Sequence, residues 1–477
     1  MLRKLLLVSV LPATALVAAP RFELSEAPLI WGDENAAEVI TAPPVPREMT
    51  GDETWSADHG RVQILHTGRE TRTIILPEIG SSGFEVGTIL AARVTTWPDE
   101  KILFRQPNGQ LVAFWGDDGL GVTQWATFEA TPGGWKHRIS KPAFISPLDG
   151  VFATLGAHLT ATPEGAVVPD SPHTVGYALR FRTDSRDLFI AARGRSIRFR
   201  VLADGRPVAR VAIEREAEDQ ILVPIHLGSA IKNRQVEVVA DQLEFAGIEI
   251  PYSGLGIQPW KNAVPMVRAL WITDGTDDNG IDSYPWAAAR LLKQDIWVRS
   301  WGPRASAVTS SPTAAAPADA IAADIAAINT DVIVICSGIF DQSLHSRDYS
   351  QVIASWLDAI SGAVRPDAVR IALWNDLSGE RSASRYQAMP RKAASRLDFN
   401  FLTWSDWITG SRDNPNRGNA YKVIAADGSH PSAIGHRFLG YCFAESFRDL
   451  GVETYAQAAS MARRRAEKVR NLASSDS

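Results

Sequence analysis

The sequence predicts a multi-domain chain in which two antiparallel β modules precede an α/β domain with a parallel sheet. Three observations carry that expectation. Short apolar runs alternate with turn residues from about residue 21 to 260. Continuous apolar strands then alternate with helical stretches from residue 267 onward. A link rich in Gly and Pro, residues 251–265, separates the two regimes.

The length of 477 residues suits two to four domains, and a hydrophobic fraction of 45% is enough to fill their cores. A formal net charge of -5 gives no general attraction to phosphate backbones or anionic lipid, so a nucleic-acid partner is not expected. Basic runs such as Arg463, Arg464 and Arg465 read as the solvated face of a mixed-charge C-terminal helix.

Residues 1–20 read as an export signal: Arg3 and Lys4 precede an apolar run that ends in small residues. The run is short for a membrane span, which takes about 20 apolar residues. Pro20 directly follows the best small-residue cleavage site, Val17-Ala18-Ala19, so cleavage elsewhere and retention as an anchor both stay open. The expected location is periplasmic or extracellular, with no integral span beyond an uncleaved signal.

Residues 21–150 form the first β module, with runs such as Thr73-Ile74-Ile75-Leu76 and Leu111-Val112-Ala113-Phe114-Trp115. The module is rich in Trp, including Trp97, Trp115, Trp125 and Trp135. Such rings fill cores more often than they stack on sugars. Residues 151–260 form the second module, in which Ala203-Asp204-Gly205-Arg206-Pro207 reads as a hairpin turn. The α/β domain spans 265–455, and a C-terminal helix and polar tail occupy 456–477.

Beyond the strand Ala269-Leu270-Trp271-Ile272 lies a polar turn, Thr273-Asp274-Gly275-Thr276-Asp277-Asp278. Its three carboxylates suit a hard cation, or simply water. Far downstream, Asp427-Gly428-Ser429-His430-Pro431 places an acid three residues before a His, the spacing of a base and its orienting carboxylate. The same segment also reads as a helix start, with Asp427 or Ser429 capping and Pro431 in the first turn. His436 reads as a surface or supporting residue. Cys336 and Cys442, both flanked by apolar residues, read as buried thiols, and an exported protein also permits a disulfide between them. No phosphate-cradling loop and no zinc spacing occurs, so no cofactor is expected.

The order of these segments over 267–450 resembles the SGNH (GDSL-type) hydrolases, esterases on a three-layer, flavodoxin-like α/β fold. Their four blocks supply Ser, Gly, Asn and His. Here Thr273-Asp274-Gly275 stands at the Gly-Asp-Ser block, with Gly275 in place of the nucleophilic Ser. Gly302 matches the oxyanion-hole Gly. Gly338-Ile339-Phe340-Asp341 matches Gly-x-Asn-Asp, with Phe340 replacing the Asn. Asp427, His430 and Pro431 match the last block. The resemblance implies His430 as base, Asp427 as its orienter, and the amides of Gly275 and Gly302 as oxyanion donors. Thr276 is left as the neighbouring hydroxyl, unless the alignment slips by one. The second β module looks like the jelly roll preceding some carbohydrate esterases, and the first somewhat like tail-fibre-type adhesive modules. The implied function is an ester hydrolase, acting on an acylated carbohydrate, with an impaired or rearranged site. The alternative is a non-catalytic glycan-binding or surface-attachment protein, and the tail-fibre cadence adds a weaker one, a particle-associated receptor-binding protein.

Overall fold

The computed structural model describes residues 37–42, 47–59, 62–66, 71–94, 101–115, 125–140, 143–228, 232–251, 256–260, 266–273, 279–300, 315–337, 357–374 (without 359), 391–404 (without 393), 407, 423–425, 430–450, 460 and 464. These residues are mostly β, in several sheets with few helices. Among them no helix is long and apolar enough to cross a membrane. The expected signal at 1–20 lies outside the described residues. Two compact units divide the chain near residue 264.

In the first unit, the strands from Arg47–Glu48 to Ile102–Arg105 alternate between two sheets. Arg47–Glu48, Val62–His66 and Ile89–Val94 lie side by side in one, while Glu53–Thr54, Arg72–Ile75 and Ile102–Arg105 lie side by side in the other. Each of these strands before Ile102–Arg105 is followed by one in the opposite sheet, so the chain returns in the same direction and successive neighbours pair in parallel. The expectation of antiparallel pairing throughout 21–150 is thereby corrected. Spacing reveals strands but not their partners, and antiparallel pairs enter only with Leu111–Trp115, Trp125–Thr131 and Gly134–Ser140. Between the sheets Trp55, Leu65, Ile74, Phe104, Phe128 and Trp135 form one core, with the Phe104 and Phe128 rings 4.6 Å apart. Trp135 is also anchored by its indole N–H, which donates to the Pro77 carbonyl at 2.7 Å. Trp55, Trp125 and Trp135 are thus core residues rather than a sugar platform.

Residues 143–259 contribute most of an eleven-stranded sheet organised by two long antiparallel strands, Asp187–Ala203 and Arg234–Ile250. Register shifts near Ala192 and Arg198 let each long strand change partners along its length. The lower half of the first pairs with Ile221–His226 and its upper half with Arg206–Glu214. The predicted hairpin is present: Asp204 (φ 51°) and Gly205 (φ 79°) take the positive-φ pair that a tight two-residue turn requires. Trp125 and Ala91 join the same apolar cluster as Tyr177 and Phe199, and Trp125 packs on Phe189 at 4.6 Å. Glu249 accepts from the Trp125 indole and from Arg93 at 3.0 Å, so segments on either side of residue 150 share both core and polar contacts.

The second unit is built on a five-stranded parallel sheet. Its strands are β1 (Arg268–Thr273), β2 (Asp295–Ser300), β3 (Val332–Ser337), β4 (Val369–Trp374) and β5 (Asn400–Thr403), in the order β2-β1-β3-β4-β5. Helix α1 (Tyr284–Leu292) connects β1 to β2, α2 (Ala315–Ile328) connects β2 to β3, and α3 (Ala433–Asp449) closes the unit. Alternation along β1 sends its side chains to both faces. Leu270 and Ile272 cluster with Ile321, Ile325 and Ile328 of α2. Trp271 instead meets Tyr284 of α1 at 5.8 Å and Phe443 of α3 at 4.4 Å. Charges gather where the strands begin: Arg268 bonds Asp295 at 2.9 Å and its amide donates to Asp331 at 2.9 Å. Cys336 and Cys442 are both buried thiols, and burial pushes the Cys442 thiol up.

Candidate functional site

In a doubly wound sheet of order 2-1-3-4-5 the crossover from β1 runs to one side and the crossover from β2 returns past β1 to the other, which opens a crevice beyond the carboxyl ends of β1 and β3. Because the sheet is parallel, Thr273, Ser300 and Ser337 all end their strands at this edge. Asp274, Gly275, Thr276, Gly302, Gly338, Phe340 and Asp341 follow those ends in sequence and lie outside the described residues, as does Asp427. The acidic turn of Asp274, Asp277 and Asp278 also lies outside them, and among the described residues no His/Cys/Asp/Glu group suits a metal ion.

His430 is described, and the structure explains how it is held. The Ala425 amide donates to the His430 carbonyl at 2.8 Å, and the Ser432 amide donates to the Val423 carbonyl at 2.8 Å. With the bridge between Ile424 and Pro431, these bonds tie the two ends of the segment that contains Asp427 and His430. A helix does start here, but the expected cap is corrected: Ser432, three residues past Ser429, is the N-cap of α3, its hydroxyl accepting from the Gly435 amide at 3.0 Å, and Pro431 precedes the cap instead of entering the first turn. Capping and a partly exposed His430 are therefore compatible.

Helix α3 meets the start of α1, the end of that helix nearest the carboxyl edge of the sheet. Gly440 makes the approach feasible, since a Cβ there would stand 2.4 Å from the Ala287 Cβ and 2.9 Å from the Tyr284 carbonyl oxygen. His436, read from sequence as a surface or supporting residue, is not on the surface but almost completely buried. Its Nδ1 accepts the Tyr284 backbone amide at 3.2 Å, and its ring stacks on the Tyr284 ring with centroids 6.0 Å apart. Burial, and then the neighbouring His430, hold its pKa down at about 3, so it is neutral at ordinary pH. A neutral ring is required here, because only unprotonated Nδ1 can accept an amide. Ser283, just before α1, is likewise buried, and its hydroxyl makes no hydrogen bond among the described residues.

Of the two sequence alternatives for His436, the surface one is corrected by its burial, and the burial of Ser283 was not anticipated. A signal for His436 existed: with Leu439, Gly440, Phe443 and Phe447 it falls on one helical stripe, the buried one.

The sequence matches no protein-family model and no curated protein. Among solved structures the chain is similar to a salicylyl-acyltransferase from a tetracycline biosynthetic pathway, at 17% identity and a TM-score of 0.49, covering 66% of this chain and 99% of that one. It is also similar to a family two carbohydrate esterase from Cellvibrio japonicus, at 12% identity, 65% and 98% coverage and a TM-score of 0.45. An acetyl xylan esterase from the rumen bacterium Butyrivibrio proteoclasticus matches at 12% identity, 65% and 98% coverage and a TM-score of 0.43.

Proposed function

We propose that the chain is an exported SGNH-type ester hydrolase whose second unit is the three-layer α/β domain of that family and whose substrate is an acyl group on a carbohydrate. The observation that carries the reading is the placement of His430: it is tied down at the entry to α3, which packs on the first turn of α1 near the carboxyl edge of the sheet. Ligands and reacting groups collect at that edge in doubly wound folds. In this reading Asp427 orients His430, which withdraws a proton from the nucleophile, and the amides of Gly275 and Gly302 face the developing oxyanion. Thr276 supplies the attacking hydroxyl, because Gly275 has no side chain.

A second reading follows from that same substitution. With Gly275 at the nucleophile position and Phe340 at the oxyanion Asn, the unit keeps a cleft for an acylated glycan without turning it over. Loss of one oxyanion donor alone costs about 2.7–4 kcal/mol in hydrolases of this kind.

Hydrolysis of p-nitrophenyl acetate and of acetylated xylo-oligosaccharides separates the two. The esterase reading expects measurable turnover that Thr276→Ala and His430→Ala each abolish. Turnover that survives Thr276→Ala removes Thr276 from its role. Absence of turnover in the native chain, with turnover gained by Gly275→Ser together with Phe340→Asn, establishes the binding reading. No turnover in either leaves neither the esterase assignment nor the intact-base argument standing.

A further inference from the structure

Within residues 31–264 the structure holds a second polar cluster that takes no part in the proposed chemistry. Asp187 and His226 face each other directly across the antiparallel pair that opens the long strand Asp187–Ala203. The His226 Nδ1 lies 2.5 Å from the Asp187 Oδ1. Asp187 is buried, with 5% of its side chain exposed, whereas half of the His226 side chain is exposed. Both residues line a cleft of about 390 Å³, which Glu38 also lines; its apolar wall includes Val62, Pro224 and Ile225. That volume lies in the range of small-ligand sites.

The donor and acceptor inventory narrows the occupant. A carboxylate can only accept, so in the neutral imidazole the Nδ1 proton points at Asp187 and Nε2 carries a bare lone pair. Glu38, on the strand Glu38–Ile40, adds a second exposed acceptor, negatively charged. Among the described side chains lining the cleft, none is an amide, hydroxyl, Lys or Arg. A sugar, whose ring and hydroxyl oxygens need donors as well as acceptors, is a poor match. An ammonium group, with N–H donors, positive charge and no acceptor, is a good one.

We propose that this cleft binds a primary ammonium group carried on a short apolar stem, its N–H groups donating to His226 Nε2 and the Glu38 carboxylate while the stem covers Val62, Pro224 and Ile225. Asp187 is the positioning residue that fixes the His226 ring. The ammonium comes either from a free alkylamine or from a lysine side chain of another polypeptide.

Titration calorimetry on the full chain, with the His226 ring followed by nitrogen NMR, tests this with n-pentylamine and Nα-acetyl-lysine methylamide as probes. Pentanol and pentyltrimethylammonium serve as controls that lack the charge and the N–H donors respectively. Saturable binding of at least one amine is expected, with a shift of the His226 Nε2 signal. Glu38→Gln and His226→Phe should each weaken it about tenfold or more, the loss of one charge-assisted hydrogen bond. Glu38 is exposed and Glu38→Gln leaves folding intact, whereas His226→Phe removes a partner of the buried Asp187, so thermal unfolding is read on both variants and Glu38→Gln alone carries the test if His226→Phe is unfolded. Tighter binding of the lysine derivative assigns the site to a polypeptide partner, and tighter binding of pentylamine assigns it to a free amine. The proposal is overturned if neither amine saturates, if either control binds as well as pentylamine, or if both variants keep the native affinity.

Discussion

Burial of His436 makes the second unit acid-sensitive in a way that one substitution should remove. The unfolded chain takes up a proton on this ring at its ordinary pKa of 6.5, whereas the folded chain resists until about 3. Above the ordinary value neither state is protonated and the residue contributes no pH dependence. As pH falls below it, the unfolded state gains a proton that the folded state refuses, so stability is lost with falling pH. The slope is about 1.4 kcal/mol per pH unit, which gives a loss of about 2 kcal/mol by about pH 5 and roughly 4 kcal/mol by about pH 3, where the folded state begins to take up the proton as well. His436→Asn keeps an acceptor near the Tyr284 amide but cannot titrate. It should be less stable than the native chain at about pH 7, by roughly 1–2 kcal/mol for the lost ring packing. That gap should close, then reverse, as the buffer is acidified. Hydrogen exchange of peptides from α1 and α3, read at several pH values and corrected for intrinsic rates, measures the opening free energy locally. Parallel pH dependences for native chain and variant would refute the account of His436 as a neutral, buried acceptor.

Two further perturbations test the packing. Gly440→Ala sets a methyl against Ala287 and the Tyr284 carbonyl. It should cost about 1–3 kcal/mol and raise exchange in α1 and α3 together, whereas exchange confined to α3 would contradict the close approach. Glu249→Ala removes the acceptor shared by the Trp125 indole and Arg93. Thermal unfolding of the first unit should show a loss of about 2–4 kcal/mol, discounted for the partial exposure of Arg93, with Glu249→Gln milder; an effect near zero would mean that the cluster is not a structural tie.

The sequence revealed local geometry well and pairing poorly, for identifiable reasons. β1 and β3 are almost wholly apolar because both faces of the sheet are covered, and such runs announce a parallel sheet. The Asp204-Gly205 turn was equally visible, since few residues tolerate its backbone angles. The parallel pairs before residue 110 were not visible: the return path runs through the opposite sheet, and strand composition is the same whichever neighbour it meets. The link between Trp125 and Glu249 spans more than a hundred residues and leaves no periodic trace. At the proposed site, His430 was singled out because a short motif surrounds it. The surface alternative for His436 failed because a His was weighed by type, not by its position on the helical stripe. Asp187 and His226 escaped notice because only strand register brings them together.

The two histidines at α3 also make the pH dependence of any ester hydrolysis informative. His436 remains neutral until about pH 3, and the Cys442 thiol is pushed far up by burial, so neither group ionises across the intervening range. An acid limb in the rate profile within that range then belongs to neither group, and the proposed mechanism makes His430, as the base, the residue whose replacement tests it. His436→Asn should lower the rate, through a looser seat for α3, while leaving the limb where it was. His430→Ala should remove the limb along with the activity. A limb that moves in His436→Asn but persists in His430→Ala would transfer the role of base away from His430, and with it the reading of the segment from Asp427 to Pro431 as catalytic.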